Sequence, residues 1–425
     1  MFTAKKTITD WIVPYRGLLS SICLLIWLLA LTASFIPALS DLFEDSKAAH
    51  IIYRGIFMVA LLGSLVYLTM KRKEFCPFLL NNSPLNALIL LGLISTLWSI
   101  TPGITLKSSL IIIAVVLSAY STSKYFEAQH FLKILIGFLT TFVIISAIIW
   151  LADYPWPFQG ESFRSFFSQK NHMGIISALY ILLLTSFAIH TNKQNITLVI
   201  STLSLGTIAI LLLTASGSAG SIVETISCIG LLSLLLITDR TKRPKRNLLI
   251  LALIAATSLY LSWDYILQLL NRSPTLTGRD KIWELSLGAA KENFLLGIGL
   301  GTAWLQNSPV YLAVATVMPA TKHAHNGYLE IYIEVGVIGL TLFLVHLGLV
   351  AHNIFKNISL IINSFITLSF LSIILFFLIL NTIESTIFRM PFIFYIYLVS
   401  AFYLQKATSV ALVKTTSNNT KLGKH

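Results

Sequence analysis

Apolar residues fall into long runs along this chain, and polar residues gather in short segments between the runs. A helix that crosses the hydrocarbon core of a bilayer needs about 20 apolar residues. Roughly twelve runs approach that length, and they lie at 18–39, 50–70, 84–100, 104–122, 130–152, 173–190, 195–215, 219–238, 247–262, 328–351, 358–380 and 386–404. The pattern predicts an all-α polytopic membrane protein of about 12 transmembrane helices, with residues 1–425 forming a single integral membrane domain.

The composition excludes a soluble globular domain. Hydrophobic residues make up 56% of the chain and charged residues 11%, and the mean hydropathy is +0.82, whereas soluble domains carry about 25% charged residues. The first run is longer than a signal-peptide core and lacks a good small-x-small cleavage site, so it is predicted to be a retained anchor. Cys23, Cys76 and Cys228 lie in apolar runs or on a short loop and indicate neither a disulfide framework nor a metal site.

The basic residues predict the orientation of the helices, because Lys and Arg in short loops resist translocation. With a cytoplasmic N-terminus, most of the 30 basic residues fall on the cytoplasmic side of alternating loops. Both termini are then cytoplasmic, including a predicted tail at 405–425, and the first outer loop, 40-SDLFEDSKAAH-50, is acidic. The formal net charge of +13 reflects topology and attraction to membrane lipids. It indicates no nucleic-acid partner, since no soluble basic domain exists to bind one.

Two outer segments, 153–172 and 263–327, contain basic residues that this topology does not require. The second is long for a connection, and long loops within compact domains are usually functional or disordered. Its stretch 277-TGRDKIWELSLGAAKENF-294 begins with Thr277 and Asp280 in a capping-box pattern and ends before 297-GIGLG-301. The pattern predicts a partly helical periplasmic loop whose helix lies at the membrane surface, where the ring of Trp283 suits the interface.

Arg279 lies in the first turn of this predicted helix. A cation there opposes the helix dipole at a cost of about 0.3 to 1 kcal/mol. The same helix end presents free backbone N–H groups, which form an anion site, so a phosphate would contact both these groups and the guanidinium. The alternative is that Arg279 pairs with Glu284 or with a lipid headgroup.

The smaller outer segment, 153-DYPWPFQGESFRSFFSQKNHMGI-175, mixes aromatic and basic residues. The aromatic residues are typical of an interfacial belt, and basic residues in such a belt usually act as anchors. Lys170, Asn171 and His172, however, are three polar residues in a row at the mouth of a predicted helix, and the topology does not require them. With Arg164 they are candidates for a functional site.

The stretch 323-HAHNGYLEIYIEVGVIGL-340 carries polar residues into the beginning of an apolar run. His323 and His325 are two residues apart and cannot lie on one helical face, so at most one is expected to enter a site. Asn326, Glu330 and Glu334 follow at i, i+4 and i+8 and form one stripe. Charges at that depth cost several kcal/mol unless they face a wet cavity or a partner, so the stripe is expected to face the protein interior.

Three more charged residues, Glu224, Glu384 and Arg389, are expected either to join that interior cavity or to pair with one another. For Glu334, a purely structural pairing with an arginine is the alternative to a functional role.

The motif 325-HNGYLEIYIEVGVIG-339 reads His-Asn, nine residues, then G-x-x-G, and it resembles the signature of the O-antigen ligase and O-antigen polymerase superfamily of bacterial membrane glycosyltransferases. The segments 164-RSFFSQKNHMG-174 and 276-LTGRDKIW-283, the latter followed by 297-GIGLG-301, are similar to stretches in the exopolysaccharide-polymerase branch of that superfamily. The resemblance extends over residues 90–400.

The resemblance implies a GT-C-like helical enzyme that takes a glycan from an undecaprenyl diphosphate carrier in the periplasmic leaflet of the bacterial inner membrane. The glycan passes to a hydroxyl of an acceptor sugar, with no metal and no nucleotide cofactor. The resemblance makes His325 the essential histidine of the family and Arg279 the arginine of its large loop. Many members also carry an arginine in a Ser-Arg-Gly-like turn after the seventh helix, where this chain has 215-ASGSAGS-221. Arg164 or Lys170 is therefore expected to supply that charge.

These expectations assign roles to the candidate residues. His325 is predicted to be the general base, with Glu330 or Glu334 as orienting groups, because an imidazole of ordinary pKa is suited to take a proton from a hydroxyl. The alternative has His325 binding the diphosphate. The predicted diphosphate-binding residues are Arg279, Arg164, Lys170, His172, Asn326 and His323.

The acceptor separates two forms of this reaction. A ligase transfers the glycan to an acceptor glycolipid, the lipid A core, and a polymerase transfers it to another lipid-linked repeat. A flippase or secondary transporter is the rival class, but transporters place ionisable groups near the bilayer midplane between related halves. This chain keeps its charges at one face.

Overall fold

The computed structural model describes residues 16–32, 46–152, 158–167, 169–191, 194–239, 278–319 and 321–422. Within these ranges the chain is almost entirely helical, and its helices are α1 (Arg16–Thr32), α2 (Ser46–Met70), α3 (Arg72–Asn81), α4 (Ser83–Ile94), α5 (Pro102–Tyr125), α6 (Ala128–Leu151), α7 (Lys170–His190), α8 (Ile196–Ala215), α9 (Ala219–Asp239), α10 (Arg279–Ala290), α11 (Pro309–Ala315), α12 (Gly327–Lys356), α13 (Ile358–Ile362), α14 (Phe365–Ile383) and α15 (Pro391–Leu422). A two-stranded antiparallel ribbon, β1 (Phe158–Gln159) and β2 (Ser162–Phe163), precedes α7.

The helices confirm an all-α polytopic membrane protein. Seven described helices are long and apolar enough to cross a membrane by length and composition, namely α5, α6, α7, α8, α9, α12 and α14. Shorter apolar helices cover Ser20–Thr32, Gly55–Met70 and Ser83–Leu97. Every predicted run overlaps described helices except 247–262, which lies outside the described residues. The run 18–39 is described only as far as Thr32, and the run 358–380 corresponds to two helices, α13 and α14. Two boundaries differ from expectation: α15 continues to Leu422 through the predicted tail, and α10 begins at Arg279 after Gly278, with Thr277 outside the described ranges.

Helix α7 occupies the centre of the bundle. It is apolar around its whole circumference, which is typical of a helix enclosed on all sides, and the residues from Met173 to Leu184 are buried. It packs against α6, α8, α9 and α14. The N-terminal turn of α7 carries Lys170, Asn171 and His172. The central helix therefore has a polar end.

A kink in α12 determines how the large loop joins the bundle. Val335 and Gly336 leave the helical conformation, with Gly336 at φ +70°. The kink frees backbone groups of α12, and residues 294–299 bind them: the N–H groups of Ile298 and Gly299 donate to the carbonyls of Ile333 and Glu334 at 3.2 and 3.0 Å, and Val337 N–H donates to the Phe294 carbonyl at 2.9 Å. Buried backbone groups require such partners, so the kink and the loop stabilise each other.

We expect Gly336→Ala to disrupt this joint. A Cβ atom at position 336 would lie 2.1 Å from the carbonyl oxygen of Leu295, a backbone atom that cannot rotate away, and its φ of +70° disfavours a side chain. Strain of that kind costs about 1–3 kcal/mol, so the variant should melt at a lower temperature in detergent. Gly348→Ala is the matched control on the same helix, since nothing lies within 4 Å of its Cβ position. Equal melting temperatures for the two variants would contradict the packing described here.

Candidate functional site

Glu384 is the centre of a polar cluster at one end of the bundle. It directly follows α14 and is 9% exposed. Its Oε1 atom accepts hydrogen bonds from Asn171 Nδ2 at 2.9 Å and from Arg279 Nη2 at 3.3 Å, and His325 Nδ1 lies 3.2 Å from Oε2. Arg279 also donates through Nη1 to the carbonyl of Ile383. One carboxylate therefore joins residues from the beginnings of α7, α10 and α12.

The contacts of Glu384 keep it ionised. Burial alone would raise the pKa of its carboxyl, but the hydrogen bond from His325 and the charge of Arg279 outweigh burial and lower that pKa below its ordinary value. The stability that Glu384 contributes is thus present at neutral pH and is lost as the pH falls through the lowered pKa. Because an ionised carboxylate only accepts hydrogen bonds, His325 Nδ1 is the donor in its contact with Glu384.

His325 is held in place by its neighbours on both sides. It adopts φ +53°, a conformation that costs a non-glycine residue about 1–3 kcal/mol. Before it, the Ala324 N–H donates to Glu330 Oε1 at 2.7 Å and the Ala324 carbonyl accepts from Trp283 Nε1 at 2.8 Å. After it, the Asn326 N–H donates to Ser385 Oγ at 3.0 Å. The turn is fixed on either side of the imidazole, which is the arrangement expected where strain serves a function.

The residues that follow His325 in the motif have structural reasons to be there. Asn326 is the N-cap of α12, and its side-chain oxygen accepts from the N–H groups of Tyr328 and Leu329 at 3.0 and 3.1 Å. A Cβ atom on Gly327 would lie 2.2 Å from Asn381 Oδ1, so glycine permits the close approach of α12 to α14. Its Oδ1 atom is thus engaged in capping the helix, and diphosphate binding by Asn326 stays a prediction.

His323 and His325 lie side by side, with ring centroids 3.9 Å apart. The expectation that at most one of them enters a site was wrong, because α12 begins at Gly327 and helical spacing does not apply to residues 323–326. His323 Nδ1 is 4.0 Å from Glu384 Oε2. Burial, with the nearby His325, lowers the pKa of His323 to about 3, so this ring stays neutral at physiological pH.

Glu330 and Glu334 bind a different arginine. Arg389 Nε lies 3.3 Å from Glu330 Oε1, and Arg389 Nη2 lies 3.4 Å from Glu334 Oε1. Trp304 Nε1 donates to Glu330 Oε2 at 3.0 Å. The interior stripe was predicted correctly for these two glutamates. Their carboxylates pair with Arg389, and Glu330 also holds the turn before His325 through Ala324, whereas the carboxylate that contacts the imidazole is that of Glu384.

Arg279 does not pair with Glu284, the protein partner suggested by the sequence as an alternative to a ligand. Glu284 pairs instead with Lys281 at 2.8 Å on the exposed face of α10, and the partner of Arg279 is Glu384. Trp283 likewise has a protein partner, the Ala324 carbonyl, in place of interfacial water.

Lys170 lies beside the turn between α8 and α9. Its Nζ atom donates to Ser162 Oγ at 3.2 Å, and it lies 3.8 Å from the position that a Cβ atom of Gly217 would occupy. This turn is part of 215-ASGSAGS-221, where the sequence led us to expect a missing positive charge. Arg164 lies in the turn that follows β2, and His172 lines a cavity described below.

Glu224 is fully buried in α9, and neither of its carboxyl oxygens has a hydrogen-bond partner among the described residues. It lies close enough to Glu384 and Arg279 to interact electrostatically with both. The sequence left open whether Glu224, Glu384 and Arg389 pair with one another. They do not: Glu384 pairs with Arg279, and Arg389 pairs with Glu330 and Glu334.

The cluster has ligand atoms that suit a metal ion. His323, His325 and Glu384 each offer one such atom, and these atoms lie within 4.8 Å of one another. Arg279 contacts the same carboxylate and already brings a positive charge to it.

Sequence reasoning did not assign Glu384 a role, although it is the residue on which Arg279 and His325 converge. Its signal was an ionisable residue directly after an apolar run, close to a second charged residue, Arg389. Such residues in membrane proteins usually mark functional sites. The predicted partners came from spacing within one helix, whereas Glu384 is 59 residues from His325 and 105 residues from Arg279.

Fold and site together define a multi-pass helical membrane protein with an Arg–Glu–His cluster at one end of its bundle. Residues 204–344 match the family model described as O-antigen ligase. The chain is also 25% identical over 268 residues to the exopolysaccharide production protein ExoQ of Rhizobium meliloti (strain 1021), an alignment that covers 60% of this chain and 61% of ExoQ. These matches confirm the resemblance to the O-antigen ligase and polymerase superfamily.

We expect Arg389→Met to destabilise the protein. It leaves the two buried carboxylates of Glu330 and Glu334 without their cation, and breaking a buried pair from one side costs about 3–5 kcal/mol. The melting temperature in detergent should fall, and a second substitution, Glu334→Gln, should recover part of the loss. Lys281→Met is the control, because its pair with Glu284 is exposed and such pairs contribute about 0–1 kcal/mol. Equal losses in the two single variants would exclude a structural role for the Arg389 pairs.

Proposed function

We propose that this protein transfers a glycan from an undecaprenyl diphosphate carrier to a hydroxyl of an acceptor sugar, as an O-antigen ligase-like glycosyltransferase of lipopolysaccharide or surface polysaccharide biosynthesis. The observation that carries the proposal is the convergence of Arg279 and His325 on Glu384, at 3.3 and 3.2 Å. A cation for a departing diphosphate thus lies next to an imidazole that can accept a proton.

The charge changes of the reaction suit these groups. The bond between the anomeric carbon of the donor sugar and the diphosphate oxygen breaks, and the leaving lipid diphosphate takes the electron pair. Negative charge therefore grows on the leaving group, and a guanidinium already in position stabilises the transition state more than the ground state. Arg279, with a side chain 17% exposed, is the residue we assign to that role.

The acceptor hydroxyl forms the new bond to the anomeric carbon and loses its proton to His325. His325 Nδ1–H donates to Glu384, so the other ring nitrogen, Nε2, accepts the proton. The carboxylate then stabilises the resulting imidazolium. We therefore propose Glu384, in place of Glu330 or Glu334, as the orienting group. In the alternative version, His325 binds the diphosphate directly.

We infer that further diphosphate contacts come from His323 and Lys170. The imidazole of His323, beside His325, can donate a hydrogen bond to the diphosphate without adding charge, because the pKa of His323 is lowered to about 3. Lys170 near the α8–α9 turn supplies the charge that many family members carry there as arginine. Arg164 keeps the supporting role proposed from the sequence.

We also propose that the site faces the periplasm from the inner membrane of a bacterium, with both termini in the cytoplasm. The basic residues Lys71, Lys124, Lys133 and Lys356 belong to helix ends remote from Glu384, which supports this orientation under the positive-inside rule. A polar cluster at one end of the bundle also favours an enzyme over a transporter, whose site would lie near the midplane.

Ligase and polymerase forms share this leaving-group site and differ in the acceptor, an acceptor glycolipid or another lipid-linked repeat. Deletion of the gene followed by gel analysis of surface glycans distinguishes them. Loss of all capped lipopolysaccharide with accumulation of lipid-linked chains indicates a ligase, whereas products one repeat long indicate a polymerase.

We expect His325→Gln to lower glycan transfer by about 10²- to 10⁴-fold, the usual contribution of a general base. Glu384→Gln should lower the rate as well, because an amide does not stabilise the imidazolium. The measurement is glycan transfer in a deletion strain complemented with each variant, with protein levels checked by immunoblot. His352→Gln is the matched control and should retain full activity, because His352 is exposed near the other end of α12. Full transfer by His325→Gln at a normal protein level would refute both the base and the diphosphate-ligand versions.

Transfer should not require a metal ion, because Arg279 supplies the positive charge at the leaving group. We expect the purified protein in vesicles to keep its activity after dialysis against EDTA. His323, His325 and Glu384 nevertheless have metal-ligand spacing, so the same samples should be tested for bound metal by elemental analysis. Activity that disappears with EDTA and returns with one added divalent cation would overturn the metal-independent mechanism.

A further inference from the structure

A cavity lies at the same end of the bundle as Glu384. Its volume is about 260 Å³, and its walls come from the end of α1, the N-terminal parts of α5 and α7, the turn before α15 and the first residues of α15. Six of its lining residues are used below: Ser108, Phe167, His172, Phe388, Arg389 and Phe392. Of these six, only His172 was predicted from the sequence to bind diphosphate.

The charge in this cavity disfavours an anionic ligand. Arg389 is its cationic residue, but two carboxylates, Glu330 and Glu334, contact that single guanidinium at 3.3 and 3.4 Å. This guanidinium therefore has two carboxylates around it, whereas Arg279 has one, and it attracts a phosphate less strongly. It keeps the hydrogen-bonding character of its N–H groups, and a neutral polar ligand is the class that suits it.

The walls of the cavity combine aromatic rings with a few polar atoms. Phe167, Phe388 and Phe392 are aromatic, and the ring of Phe167 stands edge-to-face to that of His172, with centroids 6.4 Å apart. His172 and Ser108 add hydrogen-bonding atoms. Mostly apolar walls with a small number of placed polar groups are typical of sites for small molecules. A sugar ring matches them, since its faces carry C–H groups and its rim carries hydroxyls.

The size of the cavity limits the ligand. Sites for drug-sized molecules have volumes of about 300–1,000 Å³, and this cavity, at about 260 Å³, lies just below that range. One sugar ring fits such a volume, whereas a longer stretch of glycan would have to extend out of it.

The cavity is connected to the reacting groups through α7. Asn171 donates to Glu384 Oε1 at 2.9 Å, and the next residue, His172, faces the cavity within electrostatic range of Glu384. Two consecutive residues of one helix turn thus serve the Glu384 cluster and the cavity.

We propose that this cavity binds one neutral sugar ring of a glycan that takes part in the transfer, with His172, Ser108 and Arg389 as hydrogen-bonding residues and Phe167, Phe388 and Phe392 as its apolar walls. This inference rests on the proposed function. It reassigns His172 from the diphosphate to a sugar. The ring belongs either to the donor glycan or to the acceptor, and both present the same chemistry to these walls.

Photocrosslinking in cells that make the polysaccharide tests the inference. The photoreactive residue p-benzoylphenylalanine replaces Ile111, which lines the cavity. In a second variant the same photoreactive residue replaces Met318, whose side chain approaches Gly278 beside Arg279. In a third variant it replaces Leu349, which lines a separate cavity together with His346. We expect glycan-containing adducts at 111 and at 318, and none at 349.

Each other outcome has a definite meaning. Glycan adducts at 318 without any at 111 overturn the sugar cavity and leave the proposed function standing. Absence of glycan at both positions counts against the proposed function as well. Adducts at 111 that contain only phospholipid or isoprenoid chain, or glycan adducts as abundant at 349 as at 111, refute the inference.

An Arg279→Gln background identifies the source of the sugar. A donor sugar is held through its diphosphate, so its adduct at 111 should disappear when Arg279 is lost. An acceptor sugar does not depend on Arg279, and its adduct should persist.

One substitution measures the consequence for activity. His172→Phe keeps a ring but removes the polar atoms. We expect it to reduce transfer by about fivefold or more, the change expected for one lost hydrogen bond, at a normal protein level. Leu349→Phe should leave transfer unchanged. Wild-type transfer by His172→Phe would refute the inference.

Discussion

The site depends on one buried carboxylate that needs donors from several parts of the chain. Glu384 sits at the end of α14, and taking its charge out of water is favourable only when hydrogen bonds and a cation compensate. Asn171, Arg279 and His325 provide that compensation. The need to satisfy Glu384 therefore brings the beginnings of α7, α10 and α12 together, and it sets the distance between the guanidinium and the imidazole.

The kink of α12 also creates polar groups that need partners from a distant part of the chain. A straight helix would satisfy its own backbone, but the break at Gly336 leaves groups that residues 294–299 must bind. The large loop, which carries Arg279, is thereby attached to the helix that begins just after His325. A backbone irregularity within α12 thus links the segment that carries Arg279 to the helix that follows His325.

Similar charged residues perform different work in this protein. Glu330 and Glu334 share Arg389 and join the turn before α15 to α12, whereas Arg279 and His325 share Glu384. The first group surrounds one arginine with two carboxylates, and the second places a cation and an imidazole beside one carboxylate. The charge balance therefore differs between the two groups.

The sequence by itself determined the membrane class, the positions of the long apolar helices and the helix that follows Gly278, and it singled out Arg279 and His325 as candidates. Hydrophobic run length and local motifs decide these features, because a bilayer requires long apolar helices and a cap acts within one turn. Only the tertiary structure decided which carboxylate meets which cation. The sequence led us to assign Glu330 or Glu334 as the orienting group of His325, whereas the carboxylate that contacts the imidazole is that of Glu384, 59 residues away. Side chains so distant in sequence meet only through helix packing, which no local pattern encodes.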